Sequence, residues 1–286
     1  MNNNTNNIVI FVDSCSSVPK DVAKELGVQI IPTIFTMDGK DYNPLDDDII
    51  SYEEYYQKLE NKEFCKTSSI NPSNIIDAFK PFLKDGKDII YITLSSGLSA
   101  SYSNALLAKD ILSDEFDNNI EIIDSRTGST GIQIAMYKAI EFVSLGKSVT
   151  EIKELIDNNR LKVKSLFIAG SLDHLRRGGR LSTVSAVIGT LLHICPIIEA
   201  NELGKLEAHS KHRGRKKALR TIIDIVKENI LPNEKVYVAY TNNLEEKDFL
   251  VSAFNELGLE SKLGIIDYTM GAHCGPRTIA VFFPSK

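Results

Sequence analysis

Short β-branched apolar runs alternate with stretches of helical spacing through the first half of the chain. Residues 8–12 read as a strand, and residues 18–26 as a helix with Pro19 near its first turn, where no backbone N–H is needed. Residues 28–35 form a second apolar, β-branched run. Residues 51–59 and 73–83 show helical periodicity, with Ser73 placed to cap the second. Residues 89–94 and 120–123 read as strands separated by a helix over 99–112, and 131–145 and 149–158 as further helices. Strands alternating with helices at these lengths predict a parallel sheet covered on both faces.

The second half changes character. Strands are predicted over 165–169, 195–199, 236–240, 262–268 and 279–283, and helices over 183–193, 215–228 and 245–257. The fold class expected is therefore α/β with two domains: an N-terminal parallel-sheet α/β/α domain, residues 1–159, and a C-terminal α+β domain with a mixed sheet, residues 160–286. A ligand cleft between two such domains is the natural expectation.

Composition narrows the class. A chain that is 43% hydrophobic and 25% charged has enough apolar side chains for a packed core. A formal net charge of −5 argues against a dedicated nucleic-acid binder, which carries a basic excess. Cys15, Cys65, Cys195 and Cys274 are too scattered for a zinc site or a disulfide framework and suit a reducing compartment. The first residues lack the basic and apolar regions of a signal peptide, and no run approaches a membrane span, so the expected address is the cytoplasm.

The chemistry gathers at strand ends. The run 88–94 reads as a buried strand that stops abruptly at Ser95-Ser96-Gly97-Leu98-Ser99-Ala100-Ser101. Ligands of parallel sheets sit beyond the carboxyl ends of the strands, where hydroxyls and backbone N–H groups can hold an anionic oxygen. Asp13-Ser14 and Asp124-Ser125 repeat the device, and either pair serves equally as a helix cap or Asx turn. Thr67-Ser68-Ser69 is either a donor loop or a plain entry into a helix. Gly97-Leu98-Ser99-Ala100-Ser101 nearly matches the nucleophile elbow of α/β-hydrolases, with Ser101 in place of the last glycine and Asp124 and His273 following in the required order.

Arg176-Arg177-Gly178-Gly179-Arg180 sets guanidiniums beside a flexible pair, so Arg180 could offer a fork to a carboxylate or phosphate. Gly271-Ala272-His273-Cys274-Gly275 places a histidine in a glycine-flanked loop open to a pocket. His174 and His193 stand in apolar context and are assigned to packing. His209 and His212 have no third ligand at metal spacing, so no metal site is expected. Lys211, Arg213, Arg215, Lys216, Lys217 and Arg220 form the one strongly basic cluster, a solvated helix start or a surface for phosphates, nucleic acid or an acidic protein.

In their order and spacing, Val12-Asp13-Ser14, Ile31-Pro32, Thr67-Ser68, the 94–99 turn, Ile123-Asp124-Ser125, the 178–182 turn, Pro196-Ile197, Arg213 and Ala272-His273 resemble the DegV family of fatty-acid-binding proteins. Within it the chain is similar to the carrier subunits of bacterial fatty acid kinases. The resemblance implies a long-chain fatty acid in a buried interdomain tunnel. Thr67 and Ser68, with Ser95 and Ser96, would be its carboxylate-binding hydroxyls; His273 and Arg180 would line the same end, and Arg213 would face the partner. It further implies no cofactor besides the bound acid, no catalytic machinery in this chain, and an ATP-dependent acyl kinase as partner, with room for transient membrane contact and none for nucleic acid. The family pattern is broken at Thr67-Ser68-Ser69-Ile70-Asn71-Pro72, which is longer before its proline, at Ala100-Ser101, and at Cys274 and Arg277.

Burying about fifteen methylenes at roughly 0.8 kcal/mol each gives on the order of 12 kcal/mol of gross stabilisation. Residues 30–35 and 186–192 are candidates to line such a tunnel, or plain core. The absence of a G-x-x-x-x-G-K-[ST] loop agrees with a kinase activity housed elsewhere. The competing readings are a serine hydrolase of acyl esters using Ser99, and a lipid-sensing regulator.

Overall fold

In a computed structural model, residues 7–159, 162–180 and 194–286 are described. The first half lays down β1 (Ile8–Asp13), α1 (Lys20–Glu25), β2 (Val28–Ile31), β3 (Phe35–Met37), β4 (Lys40–Tyr42), α2 (Tyr52–Glu60) and β5 (Cys65–Thr67). It continues with α3 (Pro72–Lys84), β6 (Asp88–Thr93), α4 (Ser101–Ser113), β7 (Ile120–Asp124), α5 (Thr130–Ser144) and α6 (Val149–Asn159). The second half supplies β8 (Val163–Ile168), α7 (Leu172–Arg177), β9 (Ile194–Ala200), β10 (Leu206–Arg213) and α8 (Arg215–Asn229). After it come β11 (Val236–Tyr240), α9 (Leu244–Glu256), β12 (Ser261–Ile265), α10 (Tyr268–Cys274) and β13 (Ile279–Pro284).

The continuous apolar runs become a four-stranded parallel sheet ordered β2-β1-β6-β7, buried on both faces as such runs require. Ile10, Val12, Ile90 and Ile92 pack against α5 and α6 on one face. Phe11, Ile89 and Tyr91 meet Ile75 and Phe79 of α3 and Ala105 of α4 on the other. The later strands form a six-stranded mixed sheet ordered β10-β9-β8-β13-β11-β12, in which only β11 and β12 run parallel. Its outer face is covered by α8 and α9 through Ile222, Val226, Leu250 and Phe254. Helix α5 lies between the two sheets: Ile132 and Met136 join the core of the parallel sheet, while Ile134 joins Ala239, Ala280 and Phe282 of the mixed one.

A third, three-stranded antiparallel sheet ordered β4-β3-β5 was not expected. The run 28–35 is broken at Pro32, which cannot donate to a ladder, so β2 ends at Ile31 and Phe35 opens β3 in a different sheet. Other boundaries move for similarly local reasons. Pro19 occupies the N-cap of α1 rather than its first turn. Asn71, not Ser73, caps α3: its Oδ1 accepts from Asn74 N at 3.0 Å and from Ser73 Oγ at 2.8 Å. Residues 211–213 end β10 rather than opening a helix, and α7 and β10 were both missed. The expected strand over 262–268 stops at Ile265 because Asp267 accepts from Thr269 N and Met270 N and starts α10. The expected helix over 183–193 and the tunnel wall over 186–192 lie outside the described residues, as do 160–161 at the expected domain boundary.

Candidate functional site

Where the carboxyl ends of the parallel strands face the mixed sheet, the structure holds a cavity. Its body is mostly apolar, walled by Leu94 and Leu98 from the parallel-sheet side and by Phe167, Ile266, Met270 and Phe282 from the other, with the hydroxyls of Thr33, Ser129, Thr269 and Thr278 among them. One end is rimmed by Thr67, Ser68, Ser99, Ser101, Arg180 and His273.

Two distant elements make the polar end. Thr67 closes β5, and His273 sits in the last turn of α10, with Thr67 Oγ1 2.8 Å from His273 Nε2. Helix α10 is held against the small sheet by two tyrosines of α2. Tyr55 Oη donates to Tyr268 O and Tyr56 Oη to Ile266 O, each at 2.6 Å. Burial, reinforced by the neighbouring charge of Arg180 and by His174, pushes His273 down to about 4, so its ring is neutral at physiological pH. A neutral imidazole can donate from one nitrogen and accept at the other. Its Nδ1 is buried with no partner among the described residues. Gly178 lets the chain pass behind that atom: a Cβ there would stand 2.1 Å from Nδ1.

Arg180 is seated by its own backbone neighbourhood. Its Nε donates to Leu98 O at 3.1 Å and its Nη1 to Gly178 O, which ties the arginine to the serine-rich turn. In that turn Ser99 Oγ and Ser101 Oγ are 2.9 Å apart, and Ser101 Oγ accepts from Ile70 N at 3.2 Å. Ser68 lines the cavity and donates its N–H to Ile34 O at 3.2 Å.

Ser95 and Ser96 are placed elsewhere. Ser95 Oγ donates to Gly204 O at 2.7 Å and accepts from Gly97 N at 3.1 Å, so it fastens the β6 loop to the turn before β10. Gly204, at φ +67°, is required there because a Cβ would fall 2.0 Å from Ser95 Oγ. Ser96 gives both groups to Asp124: Oγ to Oδ2 at 2.6 Å and N to Oδ1 at 3.0 Å. Neither serine is part of the cavity wall. Arg213 lies at the exposed end of β10, also off the wall. Of residues 30–35, Thr33 reaches the cavity, whereas Phe35 packs in the tyrosine cluster around Tyr55 and Tyr268.

The hydrolase constellation is not joined. Ser99 bonds Ser101, His273 bonds Thr67, and Asp124 accepts from Ser96 and Arg126. His273, expected in a loop, stands in α10, and the wall residues Thr269 and Met270 of the same helix escaped the sequence reading because a seven-residue helix containing Gly271 shows almost no periodicity. Asp267 followed by Thr269 and Met270 was its one legible start signal.

Two carboxyl groups brace the cavity from behind. Asp13 Oδ2 accepts from Leu94 N at 2.7 Å, crossing from β1 to the end of β6 rather than capping a helix. Burial, with some help from the charge of Asp267, raises Asp13 to about 7 despite that hydrogen bond. Asp267 accepts from Ser17 Oγ at 3.0 Å and is likewise raised by burial, to about 6. Among the described residues no histidine, cysteine and carboxylate cluster is arranged to hold a metal, and no helix is long and apolar enough to cross a membrane.

Known proteins share this architecture from end to end. The family model described as an uncharacterised protein of the DegV family matches residues 7–286. A DegV domain-containing protein of Clostridium perfringens is 34% identical over 96% of each chain. One of Caldanaerobacter subterraneus is 33% identical over 98% of this chain and 99% of that one. Among solved structures, a fatty-acid-binding DegV family protein of Thermus thermophilus superposes with a TM-score of 0.87 at 25% identity, covering 98% of this chain and all of that one. A stearic-acid-binding protein of Eubacterium ventriosum gives 0.83 at 25% identity over 96% and 98% of the two chains. Matched by the family model from residue 7 to residue 286 and about one-third identical to named DegV domain-containing proteins over nearly its whole length, this chain belongs to the DegV family.

Proposed function

We propose that this protein binds one long-chain fatty acid in the cavity, with the carboxylate at Thr67, His273 and Arg180 and the acyl chain among Leu98, Phe167, Met270 and Phe282. The observation that carries this reading is the polarity of a single cavity: an apolar body that ends in hydroxyls, a neutral imidazole and one guanidinium. Burying an acyl chain gains roughly 0.8 kcal/mol per methylene, against several kcal/mol lost in ordering it. The carboxylate must then recover the hydrogen bonds it had in water. Thr67 Oγ–H, Ser68 and Arg180 supply donors, and a neutral His273 protonated at Nε2 donates to Thr67 Oγ1, which leaves the threonine O–H free for the carboxylate. Ser95 and Ser96 serve this site indirectly, by fixing the turn that carries Leu98 and Ser99. The fatty acids bound by the Thermus thermophilus and Eubacterium ventriosum relatives support the same ligand class here.

The two sheets act in this reading as domains 1–159 and 160–286, with the acid between them. The protein is a cytoplasmic carrier that meets a membrane transiently to exchange its ligand. It offers the acid to an ATP-dependent kinase, in which a carboxylate oxygen attacks the γ-phosphorus and ADP leaves. Arg213, exposed at the end of β10, faces that partner.

Native mass spectrometry before and after organic extraction tests the carrier reading. The expected result is loss of one fatty-acid mass per chain and recovery of that mass on adding palmitate or stearate. A protein that carries no acid and takes none up refutes it. The kinase step is read separately, as acyl phosphate formed only when both chains and ATP are present.

A further inference from the structure

Four side chains in the body of the cavity carry polar atoms that an unsubstituted acyl chain cannot use. Cys15 follows β1, Thr33 follows β2 after Pro32, Ser129 immediately precedes α5, and Thr269 stands in the first turn of α10; all four line the wall. They form one connected group. Cys15 Sγ lies 3.6 Å from Thr33 Oγ1, Thr269 Oγ1 donates to Thr33 O at 3.4 Å, and Ser129 N donates to Cys15 O at 2.8 Å. Thr33, Ser129 and Thr269 are only 4%, 2% and 5% exposed, so bulk water does not complete their bonding.

This group has bonding capacity to spare. Ser17 Oγ donates its proton to Asp267 Oδ2 at 3.0 Å, so its 3.0 Å contact with Ser129 takes the proton of Ser129 and leaves the lone pairs of that oxygen unused. The proton of Thr269 goes to Thr33 O, which leaves its lone pairs as well. Burial, with the charges of Asp13 and Asp267, pushes the Cys15 thiol well above its ordinary value, so the sulfur keeps its hydrogen. A thiol is a weak donor and a weak acceptor, and among the described residues that sulfur is the one partner of Thr33 Oγ1. One under-used donor beside unused acceptors is the complement of an alcohol.

Thr269 lies one helical turn before His273 on the same face of α10, about 6 Å along the helix axis. A few methylenes span that distance from a carboxylate held at His273. We infer that the cavity prefers a long-chain acid bearing a hydroxyl group on its head-proximal segment, with Thr33 donating to the ligand oxygen and the lone pairs of Thr269 and Ser129 open to its proton. The inference rests on the fatty-acid reading and narrows its ligand class. An unsubstituted chain leaves Thr33 O–H against methylenes, whereas an alcohol at that point gives both oxygens a partner.

The test is titration calorimetry on delipidated protein. It compares palmitate with palmitates hydroxylated at successive carbons near the carboxyl group and with one hydroxylated at the terminal carbon. The best head-proximal isomer should bind about tenfold tighter than palmitate, and the terminal isomer should gain nothing. Thr33→Val should abolish the preference while binding palmitate at least as tightly as wild type. Thr33→Ser, which keeps the hydroxyl, should retain the preference, and Thr269→Val should reduce it. Equal affinity of wild type for palmitate and every head-proximal isomer overturns the inference, since a trapped water then satisfies Thr33 whichever acid is bound. An equal gain for the terminal isomer, or a Thr33→Val protein that loses the same factor for all the acids, overturns it too. Each of these results leaves the fatty-acid reading intact; failure of palmitate and all its hydroxylated forms to bind removes both.

Discussion

Thr67 Oγ1 and His273 Nε2 stand 2.8 Å apart although 206 positions separate them in the chain. The first is fixed by the small antiparallel sheet and the second by a helix held to it through Tyr55 and Tyr56, so the pair exists only when these pieces are docked. Replacing Thr67 by valine keeps the shape and deletes the hydroxyl. Fatty-acid affinity should fall by about 1–3 kcal/mol with little change in Tm, measured by calorimetry with palmitate. Unaltered affinity would take Thr67 out of the head-group site.

His273 makes stability depend on pH in a defined direction. Its folded value of about 4 lies below the ordinary 6.5, so between these limits the unfolded chain binds a proton that the folded chain refuses. The stability linked to this ring is complete above pH 6.5 and is lost as pH falls toward 4. Urea unfolding of the delipidated protein at pH 7 and pH 4 should show His273→Gln losing less stability than wild type, by a difference on the order of 3 kcal/mol. Equal pH slopes in the two proteins would contradict a buried neutral ring.

Asp13 works in the opposite sense. Its folded value of about 7 lies above the ordinary 3.8, so the folded chain keeps a proton that the unfolded one gives up. Its favourable share is present at low pH and is lost as pH rises through 7. Asp13→Asn should therefore gain on wild type as pH goes from 4 to 8, by an amount on the order of 4 kcal/mol. A constant difference between the two proteins would show that Asp13 ionises normally.

Ser95→Ala separates structure from ligand contact. Loss of the hydroxyl leaves Gly204 O and Gly97 N without their partner and should destabilise the fold by about 1–3 kcal/mol. Acid affinity should change less than in Thr67→Val. The reverse pattern, with affinity lost and Tm retained, would return Ser95 to the carboxylate.

Much of the architecture was legible because apolar runs bounded by turn residues identify themselves. The strand over 236–240 matches β11 residue for residue, and the alternation up to β7 was read correctly as a parallel sheet. The three-residue strands β3, β4 and β5 were not, since each is too short for a period to emerge and their pairing is decided by tertiary contact. At the site, the serine-rich turn was correctly located at a strand end, yet the serines nearest the strand bond to Gly204 O and Asp124 and leave the cavity wall to others. Which hydroxyl faces a cavity depends on acceptors such as Gly204 O and the Asp124 carboxylate, which lie far along the chain and leave no local mark. Arg180 and His273 were found by their glycine neighbours, a signal that does carry physical meaning at Gly178.

The position of β13 bears on how the molecule is made. The last strand of the chain lies inside the six-stranded sheet, paired with β8 on one side and β11 on the other. Until Ile279–Pro284 has paired, those two strands present unsatisfied edges, and Ala280 and Phe282 are missing from the cavity wall. The parallel half can condense on its own contacts, but the pocket is finished only once β13 has slotted between β8 and β11, which makes its closure one of the most non-local steps of folding.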